Sequence, residues 1–360
     1  MSEFALPRLK KRVVYLDQSL LSSAYKRGDA RSVRIVDWIS DLACKQLLVT
    51  PHSNVHESET YQWSGYGGKT PAGLMRFIEQ AARGLRFQPT YQVEEVQLLK
   101  AFSAFISGGE PRYKLDRCEA IPREVDDWHN YVYVSVNRYL EDKDSVASMK
   151  RTAVANLVSL FDGWSKSTTT YEQDVDAEIA DASRTYMSQY AKYLARLMQG
   201  DWAAILDPPV ASHYVEKMAA TLPRDQTPED RLARVAEFLR SPYFADTPIT
   251  ALTARIFATL KAMVKAGAFP NREKAVNVLS GIFFDVQHIA SYAPYADAIF
   301  VDNQMANLVA QPSVALTQQY GTLVFSLNTI DKFEMWLSET FAAAKAEHAL
   351  ALGRAYGSTP

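Results

Sequence analysis

Two short apolar runs, each closed by an aspartate, constrain this chain more than any other feature. "VVYLD" ends at Asp17 and "AIFVD" ends at Asp302, close to opposite ends of the sequence. A β-branched run of this length, flanked by helix-compatible segments, reads as a strand buried on both faces. Such strands belong to parallel sheets, whose members are joined by helical crossovers. A partner follows the first run: "LLVTP" (Leu47–Pro51) comes after "SVRIVDWISDLACKQ", whose Val33, Val36, Ile39 and Leu42 recur near helical spacing. Late in the chain, "TLVFS" (Thr322–Ser326) lies between the helical patterns "NQMANLVAQ" and "IDKFEMWLSETFAAAKAEH". Strand, helix, strand at both ends predicts an α/β fold with one parallel sheet flanked by helices, built from distant parts of the chain.

The middle differs. After the Gly-rich stretch "YQWSGYGGKTPAG" come about 200 residues of mainly helical pattern, including "VEEVQLLKAFSAFI", "EVDDWHNYVYVSVNRYLED", "DAEIADASRTYMSQYAKYLARLMQ" and "PEDRLARVAEFLR". The expected organisation is therefore a discontinuous α/β domain, residues 10–64 and 272–345, interrupted by a large, mainly α-helical insertion, residues 65–271. The aromatics of that insertion, among them Trp128, Tyr131, Tyr133, Tyr139, Tyr186, Tyr190 and Tyr193, fall at mixed spacings and read as helix packing.

Composition narrows the function. A formal net charge of −2 means that a nucleic-acid partner would have to meet a local patch. No stretch has the roughly 18 apolar residues of a membrane span, so no membrane partner is expected. The start of the chain lacks a signal-peptide pattern, and two cysteines, Cys44 and Cys118, form no zinc spacing; a reduced, cytoplasmic setting is expected. Dinucleotide, P-loop and serine-hydrolase signatures do not occur.

The acids carry the remaining signal. Side chains at the carboxyl ends of parallel strands converge on one crevice. Asp17 and Asp302 end strands there, Glu57 and Glu59 lie just beyond "LLVTP", and Asp285 precedes Asp302 by 17 positions, with Asp297 between them. Ionised carboxylates so gathered repel each other, and a hard divalent cation with oxygen ligands, Mg²⁺ or Mn²⁺, relieves the conflict. Taken singly, Asp17 and Asp302 also suit helix N-caps, and Asp297 suits a turn. A mixed site is a rival: "HSNVHE" spaces His52 and His56 four apart beside Glu57, and His288 follows Asp285 by three.

The order of these elements and acids resembles the PIN domain of metal-dependent ribonucleases. The matching pieces are "VVYLDQS" with Asp17, "LLVTPHSNVHE" with Glu57, "FFDVQHIA" with Asp285 and "DAIFVDNQMANL" with Asp302, and "GTLVFSLNTIDKFEMWL" resembles the family's last strand and helix. The chain departs from the family in the size of the insertion and in the "FV" before Asp302, where many relatives have a Thr. The resemblance implies a PIN-like, Rossmann-like sheet and a metal-dependent nuclease hydrolysing phosphodiester bonds, RNA first. Asp17, Glu57, Asp285 and Asp302 would be catalytic metal ligands for Mg²⁺ or Mn²⁺, with Asp297 an additional candidate. The loop after Glu57 would offer Tyr61, Trp63 and Tyr66 for base stacking and Lys69 for phosphate, while Arg8, Lys10, Lys11 and Arg12, which could attract phosphate, are directed by the chain toward the opposite sheet edge. The insertion would restrict access, recognise structured RNA or bind a protein partner. Two other readings stand beside this one: an inactive PIN-like scaffold binding RNA or protein, and a helical interaction protein whose α/β ends form only a platform.

Overall fold

Hydrophobic alternation on the first strand explains the architecture. The structure is a computed structural model that describes residues 6, 8–128, 160–268, 281–282, 285–344 and 346–356. Strand β1 (Arg12–Leu16) is buried from its second residue onward and splits its side chains between two faces. Val14 and Leu16 enter one hydrophobic cluster, whereas Tyr15 packs on the other face against His56, Phe87 and Tyr292, at ring-centroid distances of 5.5, 6.0 and 5.7 Å. A strand covered on both faces is apolar throughout, as the sequence is here.

β1 leads through α1 (Gln18–Lys26) and α2 (Ala30–Cys44) to β2 (Leu48–Val49), then α3 (Asn54–Gln62) and α4 (Pro71–Ala81). The late pair is β3 (Ala298–Phe300) and β4 (Leu323–Phe325), followed by the helix Ile330–Ala342. The four strands form one sheet in the order β2-β1-β3-β4, and all three pairings are parallel. The α/β reading from sequence therefore stands, with flanking helices; β1 is as long as its apolar run, whereas β2, β3 and β4 are two or three residues shorter than theirs. Leu20, Leu21, Ile35, Ile39, Leu42, Leu74, Ile78, Phe333 and Leu337 cover one face of the sheet. Asp29, Thr70 and Asp302 cap their helices through side-chain oxygens, which satisfies amides the helices leave open.

The chain divides into two units: Met1–Pro89, Asp116–Ala155 and Tyr292–Pro360 form the first, Thr90–Leu115 and Asn156–Ser291 the second. The boundaries differ from those drawn at 64/65 and 271/272. Residues 65–89 join the first unit because the apolar face of α4, Leu74, Met75, Ile78 and Ala81, packs into the sheet's core. The later boundary lies at Ser291/Tyr292, so Asp285 falls in the second unit.

The described part of the second unit is helical. Its core gathers Leu98 and Phe102 of Thr90–Ser107, Tyr214 and Met218 of Val210–Thr221, and Val235 and Phe238 of Pro228–Leu239. Tyr186 and Tyr190 of Tyr171–Met198 pack against it, the helix-packing part expected of them despite their mixed spacings. Most of "EVDDWHNYVYVSVNRYLED", with Tyr131, Tyr133 and Tyr139, lies outside the described residues, as does the 272–280 part of the later helical pattern. No described helix is long and apolar enough to cross a membrane.

Candidate functional site

Strand order places one feature before any side chain is considered. From β1 the chain passes to β2 on one side, and from β3 it passes to β4 on the other. The progression reverses between β1 and β3, and at such a switch point the crossovers leave a crevice outside the carboxyl ends of the strands. β1 and β3 pair with Leu16 opposite Phe300, and Asp17 N–H donates to Phe300 O at 2.8 Å. Asp17 and Asp302 thus leave neighbouring strands at the same edge, next to the reversal.

Both acids are fixed by helix starts. Asp17 Oδ1 accepts from Ser19 N at 2.7 Å. Asp302 Oδ1 accepts from Gln304 N at 2.7 Å and Met305 N at 2.9 Å. These cap bonds hold both carboxylates at the edge. Asn303, the next residue, accepts from Asn328 N at 3.1 Å and ties the loop after β4 to this edge.

Glu57 is brought to the same end of the sheet by the way α3 is anchored. A capping box normally pairs Ser with Glu or Gln three residues on; here His56 takes that place. Ser53 N–H donates to His56 Nδ1 at 3.0 Å, and His56 Nε2–H donates to Leu16 O at 2.7 Å. His56 is therefore a neutral ring with both nitrogens engaged, one of them at the last residue of β1. The Gln18 carboxamide lies against Thr60 Oγ1 at 3.0 and 3.2 Å, a second tie between the edge and α3. Glu57, in the first turn of α3, then has its Oε1 3.7 Å from His52 Nε2.

Two tyrosines register the surrounding negative charge. Burial first, then the carboxylates of Asp17 and Glu59, hold the Tyr15 hydroxyl proton well above the ordinary range, against an opposing bond with Ser53. Burial first, then Glu57, does the same at Tyr292, whose hydroxyl donates to Asn54 Oδ1 at 2.9 Å and Gln88 O at 3.0 Å. Both stay neutral hydroxyls at ordinary pH. The sequence had given no sign of either tyrosine's part.

Other expected residues are placed elsewhere. Asp297 precedes β3 and so lies at the amino edge, away from Asp17 and Asp302. There it pairs with Arg12 at 3.0 Å and Arg117 at 2.8 Å and accepts from Val13 N at 2.8 Å. These bonds correct its assignment to the acid cluster: Asp297 clamps the start of the sheet. Asp285, in the second unit, lies 3.1 Å from His288 Nε2. Lys69 Nζ donates to Tyr25 O and sits 5.1 Å from the Tyr25 ring centre. Trp63 packs edge-on to Tyr25 at 6.3 Å, under the Lys26 ammonium. Of the loop's substrate candidates Tyr66 alone is largely exposed, at 65%, on a tight turn through Gly67 and Gly68 closed by Tyr66–Lys69 backbone bonds.

Among the described residues no group of three or more His, Cys, Asp and Glu side chains is gathered as a ready cation cage. Two carboxylates at neighbouring strand ends nevertheless fit Mg²⁺ or Mn²⁺, since such ions often take one or two protein carboxylates and fill the rest with water and phosphate oxygens. Compared with known protein families, characterised proteins and solved structures, the chain matches none. The functional reading therefore rests on the site's own chemistry and the sequence pattern.

Proposed function

We propose that the edge between β1 and β3 is the site of a divalent-cation-dependent nuclease, PIN-like in its arrangement, that hydrolyses phosphodiester bonds in RNA. One observation carries this reading: Asp17 and Asp302 follow adjacent parallel strands at the point where strand order reverses. Asp17 and Asp302 would hold Mg²⁺ or Mn²⁺, with Glu57 contributing through α3. When bound, the cation supplies charge stabilisation at the phosphate and a more acidic water. The protein's own part is orientation. The cap bonds fix both aspartates, and the His56 and Gln18 ties fix the segment bearing Glu57. Tyr66 offers a ring for a base on a turn braced by Lys69 and Trp63.

The capping roles of Asp17 and Asp302 favour a second reading, a PIN-like scaffold that binds RNA or a protein without cutting. Labelled single-stranded RNA and DNA, incubated with Mn²⁺, Mg²⁺ or a chelator, separate the two. Cation-dependent RNA cleavage that disappears in Asp17→Asn and Asp302→Asn supports the nuclease. RNA binding with no cleavage under any divalent cation supports the scaffold.

A further inference from the structure

The second unit carries a basic loop with aromatic neighbours. "GGEPRYKL" (108–115) follows the helix Thr90–Ser107. Gly108 takes a φ of 69°, which a side chain disfavours, and Gly109 N donates to Ala104 O at 3.1 Å, so the chain folds back over the helix end. Three more bonds hold the loop. Tyr113 N donates to Asp246 Oδ2 at 2.7 Å, Lys100 Nζ to Lys114 O at 2.5 Å, and the Tyr243 hydroxyl to Gly109 O. Arg112 and Lys114 stay exposed, and neither side chain forms an ion pair among the described residues. A backbone fixed in advance loses little freedom when a ligand arrives.

Beside the loop lies a cavity of about 430 Å³, a size met in small-ligand sites. Tyr113 and Tyr243 line it with rings, and Lys100, Arg112 and Lys114 with three cations, against one carboxylate, Glu110, among the described residues. Lys100 Nζ lies 5.1 Å from the Tyr113 ring centre, so Tyr243 is the better platform for a flat ligand. Phe105 meets Tyr243 edge-on at 5.5 Å and has the Arg234 guanidinium 4.3 Å from its own centre, with Glu237 pairing that arginine. Rings and cations thus follow one another through the cavity and past it. Cations lining one cavity favour an anion, and rings beside them favour a planar aromatic group. A nucleotide supplies both.

We propose that this cavity binds one nucleotide unit of single-stranded RNA, with the base stacked on Tyr243 and the phosphate held by Arg112 and Lys114. The choice of RNA rests on the nuclease reading; the cavity, rings and cations do not. Stacking tolerates any base, so the site reads strand and charge and not sequence. An acidic peptide would use the cations and leave the rings idle.

The test is fluorescence anisotropy of a short labelled oligouridine with the full chain, in chelator so that no strand is cut. Wild-type affinity should fall as salt rises, by about 0.7 log unit per tenfold salt for each phosphate contact. Arg112→Gln together with Lys114→Gln, both at exposed positions, should weaken binding and lower that slope by up to about 1.4. Tyr243→Leu should weaken binding roughly 5- to 150-fold, the range for one stacked base, whereas Tyr243→Phe, which keeps the ring, should not. In the wild-type protein 4-thiouridine crosslinks should map to 108–115 or Tyr243, a readout that needs no variant. Crosslinks confined to other residues, such as the Tyr66 turn, would overturn this proposal and leave the nuclease reading intact. UMP binding as tightly as the oligomer would overturn it in favour of a free nucleotide. Poly-glutamate displacing the RNA as well as unlabelled oligouridine of equal charge would overturn it in favour of an acidic protein. No RNA bound in chelator, with Mn²⁺-dependent cleavage still present, would overturn this surface alone; neither binding nor cleavage would overturn both readings.

Discussion

The two edge aspartates serve helix capping and, on our reading, cation binding, and single substitutions can separate the roles. Asn caps a helix about as well as Asp, whereas Ala forfeits about 1 kcal/mol. Asp302→Asn is expected to leave the melting temperature nearly unchanged while lowering cation-dependent RNA cleavage roughly 100-fold or more, a loss typical of removing a group that stabilises transition-state charge. Asp302→Ala should show both losses. An Asn variant of full activity would leave Asp302 as a cap only. Lys11 makes a different prediction. Its side chain is 1% exposed and donates to Asp127 O at 2.6 Å, and burial lowers its pKa to about 8 despite Asp126 and Asp127. The folded state then releases this proton near pH 8, while the unfolded chain keeps it to about pH 10.4. Fewer protons bound when folded means that stability rises with pH across that window. Chemical denaturation between pH 8 and 10 should detect the rise, and Lys11→Met should flatten it. Lys11 and Arg12 had been placed at the opposite sheet edge, and there one is buried and the other holds Asp297. Alternation along a strand start decides which side of the backbone a lysine takes, and local sequence shows charge without showing side.

At the scale of elements, α3 illustrates how a weak local pattern is rescued by tertiary bonds. "NVHESETYQ" has little apolar periodicity, yet it forms a helix because His56 closes its first turn and donates to Leu16 O. His56→Ala would leave that buried carbonyl unpaired, at about 1–3 kcal/mol, and loosen Glu57. Melting and Mn²⁺ titration should both register the change, and His56→Gln, which can still donate near the Nε2 position, should restore part of each. An unchanged Mn²⁺ affinity in His56→Ala would show that α3's anchor does not position the site. The turn after α3 was legible as a turn, since Gly67 and Gly68 take positive φ. What Lys69 and Trp63 do there was not legible. Both were read as substrate contacts, whereas Tyr25, from α1, occupies them. An aromatic or a lysine in a Gly-rich loop carries the same letter whether its partner is a nucleotide or a neighbouring helix.

For the molecule as a whole, each unit has its own polar interior. In the second, Asp174 is 1% exposed and held by Lys261 and Lys265 together with Thr169. Removing one partner of a buried ion pair leaves charge uncompensated, so Asp174→Ala is expected to cost about 3–5 kcal/mol. A thermal melt that shows no loss would refute the buried pairing, and edge-site Mn²⁺ affinity provides the comparison for whether the units act independently. The sequence alone determined the class of the fold. Apolar runs too short for helices can only be buried as sheet, and the intervening helical periods force parallel pairing. It also determined that Asp17 and Asp302 close strands, because a strand's end and a helix's cap are local events. Tertiary structure decided which acids meet. Strand order set β1 beside β3, the extra residues before β3 sent Asp297 to the amino edge among arginines, and the packing of α4 moved the boundary between units. Those outcomes depend on contacts between residues hundreds of positions apart, whose free energies no local pattern records.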